Sequence, residues 1–353
     1  MVQIIKGTKI IKVDSVSPEL EKIREAAKYI RDDYVVAFPT ETVYGLGANA
    51  LSSSAIGEIF TAKGRPQDNP LIVHIGKTKD IAKIGKGIDS KVEALVERFW
   101  PGPLTIVLNK RDYIPKEITA GLDTVGIRFP SHPVARKLIL EAGVPIAAPS
   151  ANISGKPSPT TAEHVIKDLA GRIPVILDGG PTTIGLESTV LDMTSDIPII
   201  LRPGGITYEE LKEVLGDIRI DNNLYTKEST PRAPGMKYTH YSPKAEVVLV
   251  TGPMDKVVET IKEIAEREIG IGKKIGIMAT LETRNIYPKG DVLSIGSREK
   301  PSTIAENLFG ILREFDNRGV ELILAEGIEE KGIGLAIMNR MKKASGFNMI
   351  NAK

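Results

Sequence analysis

Val35–Asn49 reads VVAFPTETVYGLGAN, and its change of character partway along decides the fold. Val35 to Phe38 is a short apolar strand. It empties into a turn carrying three hydroxyls, Thr40, Thr42 and Tyr44, and two glycines, Gly45 and Gly47. A helical pattern follows from about Ser54 to Ala62. Strand, polar turn and amphipathic helix in that order are the repeating unit of an α/β protein, whose ligand-binding groups sit where strands end.

The same alternation extends in both directions. Upstream, Ser17-Pro18-Glu19 predicts a helix start, with a capping serine and proline at the first helical position. Leu20, Ile23, Ala26, Ala27 and Ile30 then fall on one face. The opening MVQIIKGTKIIKVDS alternates apolar and polar residues, reads as a strand or hairpin, and lacks the features of a signal peptide. Downstream, strands are predicted at Leu71 to Ile75, Thr105 to Leu108, Val125 to Phe129, Pro145 to Ala148, Val175 to Leu177, Thr189 to Met193 and Ile197 to Leu201. Helices are expected at Lys91 to Phe99, Pro133 to Ala142, Thr161 to Leu169 and Tyr208 to Leu215. Some strands follow one another directly, so the sheet should be a mixed one.

The periodicity stops near Ile220. DNNLYTKESTPRAPGMKYTHYSPKA carries three prolines and three tyrosines without a helical or strand pattern. Its tyrosines, methionine and histidine are unlike a flexible tether, so part of it is expected to be ordered. After it, EVVLVTG, a helix over Met254 to Glu268, KIGIMAT, DVLSI, a helix over Ser302 to Arg318, ELILAEG and a helix over Leu335 to Lys343 spell a βαβ alternation. The expectation is an N-terminal α/β domain over 1–219 with a twisted mixed sheet, an ordered linker over 220–245, and a smaller Rossmann-like α/β domain over 246–353.

Composition bounds the chemistry. The 353 residues include 47 basic and 45 acidic ones, four histidines and no cysteine. Thiolate nucleophiles, disulfides, iron–sulfur clusters and cysteine-bound zinc are excluded, which fits a reducing cytoplasm. A pI near 8.4 falls short of the value above about 9 expected of a dedicated nucleic-acid-binding domain. No apolar run approaches the ~20 residues that span a bilayer. No GxxxxGK[ST], HExxH or GxSxG occurs.

What remains is a set of polar turns beside predicted strands. KGRPQDNPLIVH (Lys63–His74) joins Lys63 and Arg65 to Asn69 and to a strand ending in His74. Such cations are either solvated surface charges or, on a turn stiffened by two prolines, phosphate grips. VGIRFPSHP (Val125–Pro133) puts Arg128 into an apolar strand, where a guanidinium needs a partner: a structural acid, or the carboxylate or phosphate of a ligand. APSANISGKPSPT (Ala148–Thr160) supplies Ser150, Asn152 and Thr160. LESTVLD (Leu186–Asp192) and LRPGGI (Leu201–Ile206) add Ser188 and Arg202. Cations, hydroxyls and close-approach glycines stabilise phosphate charge and position reactants, which points to a nucleotide-binding or phosphate-transferring enzyme. A rival reading is an RNA-binding protein with a basic concave surface and incidental nucleotide binding.

Taken in order, PTETVYGLGA, KGRPQDNPLIVH, WPGPLT, VGIRFPSHP, PSANISGKPSPT, LESTV and LRPG closely resemble the YrdC-type domain of the threonylcarbamoyl-adenylate synthases. APGMKYTHYSPKA and the trailing domain resemble the longer, two-domain Sua-type members. The resemblance implies a cytoplasmic nucleotidyltransferase with an open concave site. It would join L-threonine, bicarbonate and ATP, with Mg²⁺ carried on the ATP, and release pyrophosphate. The product would pass to a threonylcarbamoyl transferase complex that modifies tRNA beside the anticodon, with no membrane involved. By the same resemblance Lys63 and Arg65 are catalytic. Thr42, His74, Arg128, Ser150 and Ser188 line the threonine side. Lys63, Arg65, Asn69, Thr124, Asn152, Thr160 and Arg202 hold the nucleotide, joined by Tyr238, His240 and Tyr241 from the linker acting as a lid. A carbamoyl-transfer module shares this domain type, but its acylphosphatase-like and zinc-finger segments are absent.

Overall fold

The computed structural model describes residues 2–222 and 241–353. The chain divides into two compact units, residues 1–154 with 158–238, and residues 155–157 with 239–353. Among the described residues no helix is long and apolar enough to cross a membrane. Of the expected linker over 220–245, residues 223–240, including Tyr238 and His240 of the expected lid, lie outside the described residues, and Tyr241 lies within them.

The described part of the first unit is built on thirteen strands: β1 (Val2–Ile5), β2 (Thr8–Lys12), β3 (Val36–Phe38), β4 (Gly45–Asn49), β5 (Ile72–His74), β6 (Gly85–Lys86), β7 (Leu104–Lys110), β8 (Thr124–Arg128), β9 (Ile146–Ala147), β10 (Val175–Asp178), β11 (Thr189–Asp192), β12 (Ile199–Arg202) and β13 (Arg219–Ile220). They form one sheet in the order β1-β2-β10-β3-β4-β9-β5-β8-β7-β11-β12-β13, with β6 alongside β7. Parallel pairs such as β5–β8 and β7–β11 alternate with antiparallel ones such as β3–β4 and β7–β8. The sheet is therefore mixed, as the strands that follow one another directly implied.

Two apolar clusters cover most of this sheet. One gathers Tyr44, Leu46, Ile56, Ile59, Leu104 and Ile127. The other packs Phe38, Val175 and Leu177 against Ile23, Ala26, Ala27 and Ile30 of helix Leu20–Arg31 and Val134 and Leu138 of helix Pro133–Ala142. A third cluster is small, only Ile72, Val107, Val190 and Leu201 at its centre. It belongs to β5, β7, β11 and β12, and it floors the part of the sheet that carries the polar residues described below.

Two sequence expectations change. The first helix starts at Leu20, not Pro18, with Glu19 as its cap and no side-chain capping bond. Ser17 cannot serve, because Asp14 Oδ1 accepts from the Ser17 and Val16 amides at 2.6 and 2.9 Å and closes a turn before the helix begins. Leu20 is accordingly exposed. The glycine-rich end of VVAFPTETVYGLGAN is not loop but strand β4, paired antiparallel with β3. Gly47 is required by packing, since a Cβ there would lie 2.6 Å from both Phe38 Cε1 and Ile146 Cγ2. No ligand is needed to explain that glycine.

The second unit is a five-stranded parallel sheet. Its strands are β14 (Glu246–Thr251), β15 (Ile275–Ala279), β16 (Asp291–Ser294), β17 (Leu322–Glu326) and β18 (Met349–Asn351), in the order β16-β15-β17-β14-β18. Helices Met254–Gly270, Pro301–Arg318 and Ile333–Ala344 make the crossovers, which gives the expected Rossmann-like alternation plus an edge strand, β18, whose three residues are too few to show a strand pattern.

Candidate active site

The strand register lines up the polar residues. His74 on β5 lies opposite Arg128 on β8, and Arg128 lies opposite Thr105 on β7, so the three share one face of the sheet. Thr105 Oγ1 is 2.8 Å from Ser188 Oγ, just before β11. Arg202, at the end of β12, donates from Nη2 to that same Oγ and from Nε to Ser188 O, both at 3.1 Å. A row of polar groups thus crosses five neighbouring strands over the small apolar floor. Beside it, Pro70, Ile72, Thr105, Thr124, Gly126 and Val190 line one narrow cleft, which brings Thr124 to the row.

Arg128 finds a structural acid. Its Nη2 is 2.7 Å from Glu41 Oε1, and the two side chains are 5% and 8% exposed. Glu41 stands in the turn between β3 and β4, where Thr183 N and Ile184 N donate to its backbone carbonyl at 3.2 and 2.9 Å. Thr42 follows it, its hydroxyl 2.8 Å from that of Thr40.

His74 is buried, packs edge-on against Phe38, and donates from Nδ1 to Ile72 O at 3.2 Å. Burial, reinforced by the positive charge of Arg128, pushes its pKa down to about 3. The imidazole is therefore neutral at physiological pH, able to hydrogen-bond but not to carry charge. Because its folded pKa lies below the unfolded value, the unfolded chain takes up the proton first as pH falls below ~6.5. Stability is then lost, by roughly 1–2 kcal/mol near pH 5. Thermal unfolding at pH 7 and pH 5 should show this loss, and His74→Gln should reduce it. An equal loss in the variant would assign the acid sensitivity to other groups.

The turn of KGRPQDNP is organised from the end of helix Ser53–Lys63, which stops at Gly64 in the left-handed conformation (φ 61°). Lys63, 1% exposed, turns its ammonium onto the Ser150–Asn152 segment. Nζ donates to Ser150 O at 2.5 Å, Asn152 O at 2.6 Å and Asn152 Oδ1 at 3.3 Å. Ser150 Oγ donates to the same Oδ1 at 2.6 Å, and Ser154 N donates to Lys63 O at 2.9 Å. Arg65 Nη2 donates to Asn69 O and Pro70 O at 3.3 and 3.2 Å. Asn69 itself is 1% exposed, with neither its side-chain oxygen nor its nitrogen hydrogen-bonded. A buried carboxamide in that state is suited to a ligand that brings both a donor and an acceptor.

The structure thus gathers His74, Arg128, Ser188, Arg202 and Thr124 along the row, and binds Lys63, Ser150 and Asn152 to one another beside β4. Thr160 closes the same segment, its backbone carbonyl accepting from Thr182 N at 2.9 Å. Tyr241 belongs to the second unit. It is buried, its ring stacks on Phe309 with centroids 5.2 Å apart, and the Arg340 guanidinium lies 5.6 Å from its centroid. Glu41, Thr105 and Glu187, which accepts from Ser158 Oγ at 2.5 Å, are candidate site residues that sequence reasoning missed. The need of Arg128 for a partner was the signal for Glu41. Among the described residues no group of three or more histidines and acids is placed to hold a metal ion.

Comparison with known proteins agrees with this architecture. The family model described as telomere recombination, Sua5/YciO/YrdC, matches residues 28–204. That of the threonylcarbamoyl-AMP synthase C-terminal domain matches residues 206–346. The threonylcarbamoyl-AMP synthase of Pyrococcus abyssi is 53% identical over 330 residues, 93% of this chain and 95% of that protein. That of Bacillus subtilis is 48% identical over 338 residues, 96% of each. The crystal structure of P. abyssi Sua5 complexed with L-threonine has a TM-score of 0.93 at 52% identity, covering 98% of this chain and 99% of that one. With both domain models matched in order and relatives aligned over nearly its whole length, this chain belongs to the threonylcarbamoyl-AMP synthase family, as a two-domain member.

Proposed function

We propose that the chain condenses L-threonine, bicarbonate and ATP into L-threonylcarbamoyl-adenylate and pyrophosphate. The observation that carries this reading is the similarity, over almost the full length, to a structure described as complexed with L-threonine. In the reaction the threonine amine adds to the carbon of bicarbonate with loss of water. The resulting carbamate oxygen attacks the α-phosphorus of ATP in line, and pyrophosphate leaves.

Each step asks for groups that the row and its flanks contain. Arg128 takes the amino-acid carboxylate, and Thr42, neutral His74, Ser150 and Ser188 complete the threonine side by hydrogen bonds. Lys63, Arg65 and Arg202 offset charge that builds on the phosphate oxygens and on the leaving pyrophosphate, while Asn69, Thr124, Asn152 and Thr160 position the nucleotide. Mg²⁺ enters with the triphosphate as part of the substrate. The product would serve a threonylcarbamoyl transferase complex acting on tRNA in the cytoplasm.

The test is pyrophosphate release that requires threonine, bicarbonate and ATP together, without RNA. Arg65→Ala should lower that rate by roughly two orders of magnitude, the scale of one lost transition-state contact. A near wild-type rate in Arg65→Ala would remove this residue from the mechanism. Salt-sensitive RNA binding without any such release would favour an RNA-binding role instead.

A further inference from the structure

The Glu41–Arg128 pair is made through one contact, Nη2 to Oε1 at 2.7 Å. Buried guanidinium–carboxylate pairs are frequently bidentate, with two parallel N–H···O bonds. Here the second bond is not made. Arg128 Nε and Glu41 Oε2 are each buried without a hydrogen-bond partner. An unmet buried polar atom is costly, more so when it is charged, and this pair leaves one unmet donor and one unmet acceptor in the candidate site.

Among the described residues none supplies the missing partners. Thr183 and Ile184 engage the backbone carbonyl of Glu41 and not its carboxylate. His132 feels the charge of Glu41, yet burial lowers its pKa, and its Nδ1 accepts from Val134 N at 3.2 Å to cap helix Pro133–Ala142. His74, close enough to Arg128 for the guanidinium to depress its pKa, is turned onto Ile72 O.

We infer that Glu41 binds the substrate's α-amino group: Oε2 accepts from the α-ammonium while Arg128 Nε donates to the α-carboxylate. The inference rests on the proposed amino-acid substrate and adds to it the residue that reads the amine. A pair arranged this way selects a zwitterion. A ligand with a carboxylate and no amine meets Oε2 as a like charge and leaves it unfilled.

The experiment is calorimetric titration of the full chain with L-threonine and with (R)-3-hydroxybutyrate, which lacks only the amine. A hydrogen bond between charged groups is worth roughly 10- to 100-fold in affinity. Wild type should prefer L-threonine by at least about ten-fold, and Glu41→Gln, which can still accept from Arg128 through its amide oxygen, should bring the two ligands within about three-fold. Glu41→Asp should keep part of the preference. Absence of discrimination in wild type overturns the inference without any variant. Equal weakening of both ligands in Glu41→Gln overturns it too, since that is what a merely structural role of Glu41 would give. If wild type binds no L-threonine at all, the substrate reading falls, and this inference falls with it.

Discussion

Arg128→Met is expected to lower the unfolding midpoint of the first unit by on the order of 10 °C and to abolish measurable threonine-dependent pyrophosphate release. The substitution keeps the length of the side chain but strands Glu41, 8% exposed, as an unpaired buried carboxylate. Breaking a buried ion pair from one side costs about 3–5 kcal/mol. In a unit of this size each kcal/mol moves the midpoint by roughly 2–4 °C. The loss of activity has a separate origin, the missing grip on the amino-acid carboxylate. The two effects can be separated with the double variant. Arg128→Met with Glu41→Gln removes the stranded charge and should recover most of the midpoint while remaining inactive. Scanning calorimetry and the pyrophosphate assay on the two variants check this, and an unchanged midpoint in Arg128→Met would mean that the pair contributes nothing to the fold.

Lys63→Met is expected to cut pyrophosphate release by roughly two to three orders of magnitude, partly through the loosening of Ser150 and Asn152, which Lys63 holds in place. The ammonium holds Ser150 O and Asn152 O at 2.5 and 2.6 Å. Its removal leaves those carbonyls facing a thioether, at about 1–3 kcal/mol for each one left unmet. The Ser150–Ser154 segment then lacks its tie to the helix end, and Asn152 and Ser150 lose their fixed positions together. Amide hydrogen exchange separates the possibilities. Faster exchange at Asn152 and Ser154 with lost activity identifies Lys63 as the fastening of this segment. Lost activity with wild-type exchange assigns its effect to the nucleotide directly. Retained activity would remove it from both roles.

Much of this protein was legible in its sequence because the relevant forces are local. Apolar runs such as Val36–Phe38 and Leu322–Glu326, and caps such as Thr207 with Glu210 in a capping box, mark strands and helices without tertiary information. Strand β4 was misread because its glycines look like a turn, and only Phe38 and Ile146 pressed against Gly47 explain them. The ordered motifs named most of the candidate residues, but not how they are bonded. Glu41 carries no signal of its own until Arg128, 87 positions away, is seen to pair with it. Lys63 reads as a free cation until the carbonyls of Ser150 and Asn152 are found around it. Tyr241, assigned to the nucleotide by resemblance, stacks on Phe309 in the second unit. Burial created by distant partners is what periodicity cannot report.

The position of β10 carries a consequence for how the chain is made. Residues 175–178 lie between β2 and β3, parallel to both, so these two strands, paired otherwise only with β1 and β4, each lack their second lateral neighbour until a segment well over a hundred positions later is available. A nascent chain leaving the ribosome must therefore hold its N-terminal hairpin and its first helix without their sheet neighbour for most of the synthesis of this unit. Long-range pairing of this kind is slow, and it exposes strand edges in the interval. Chain termination or a pause before Asp178 should yield aggregation-prone material, not a smaller folded domain.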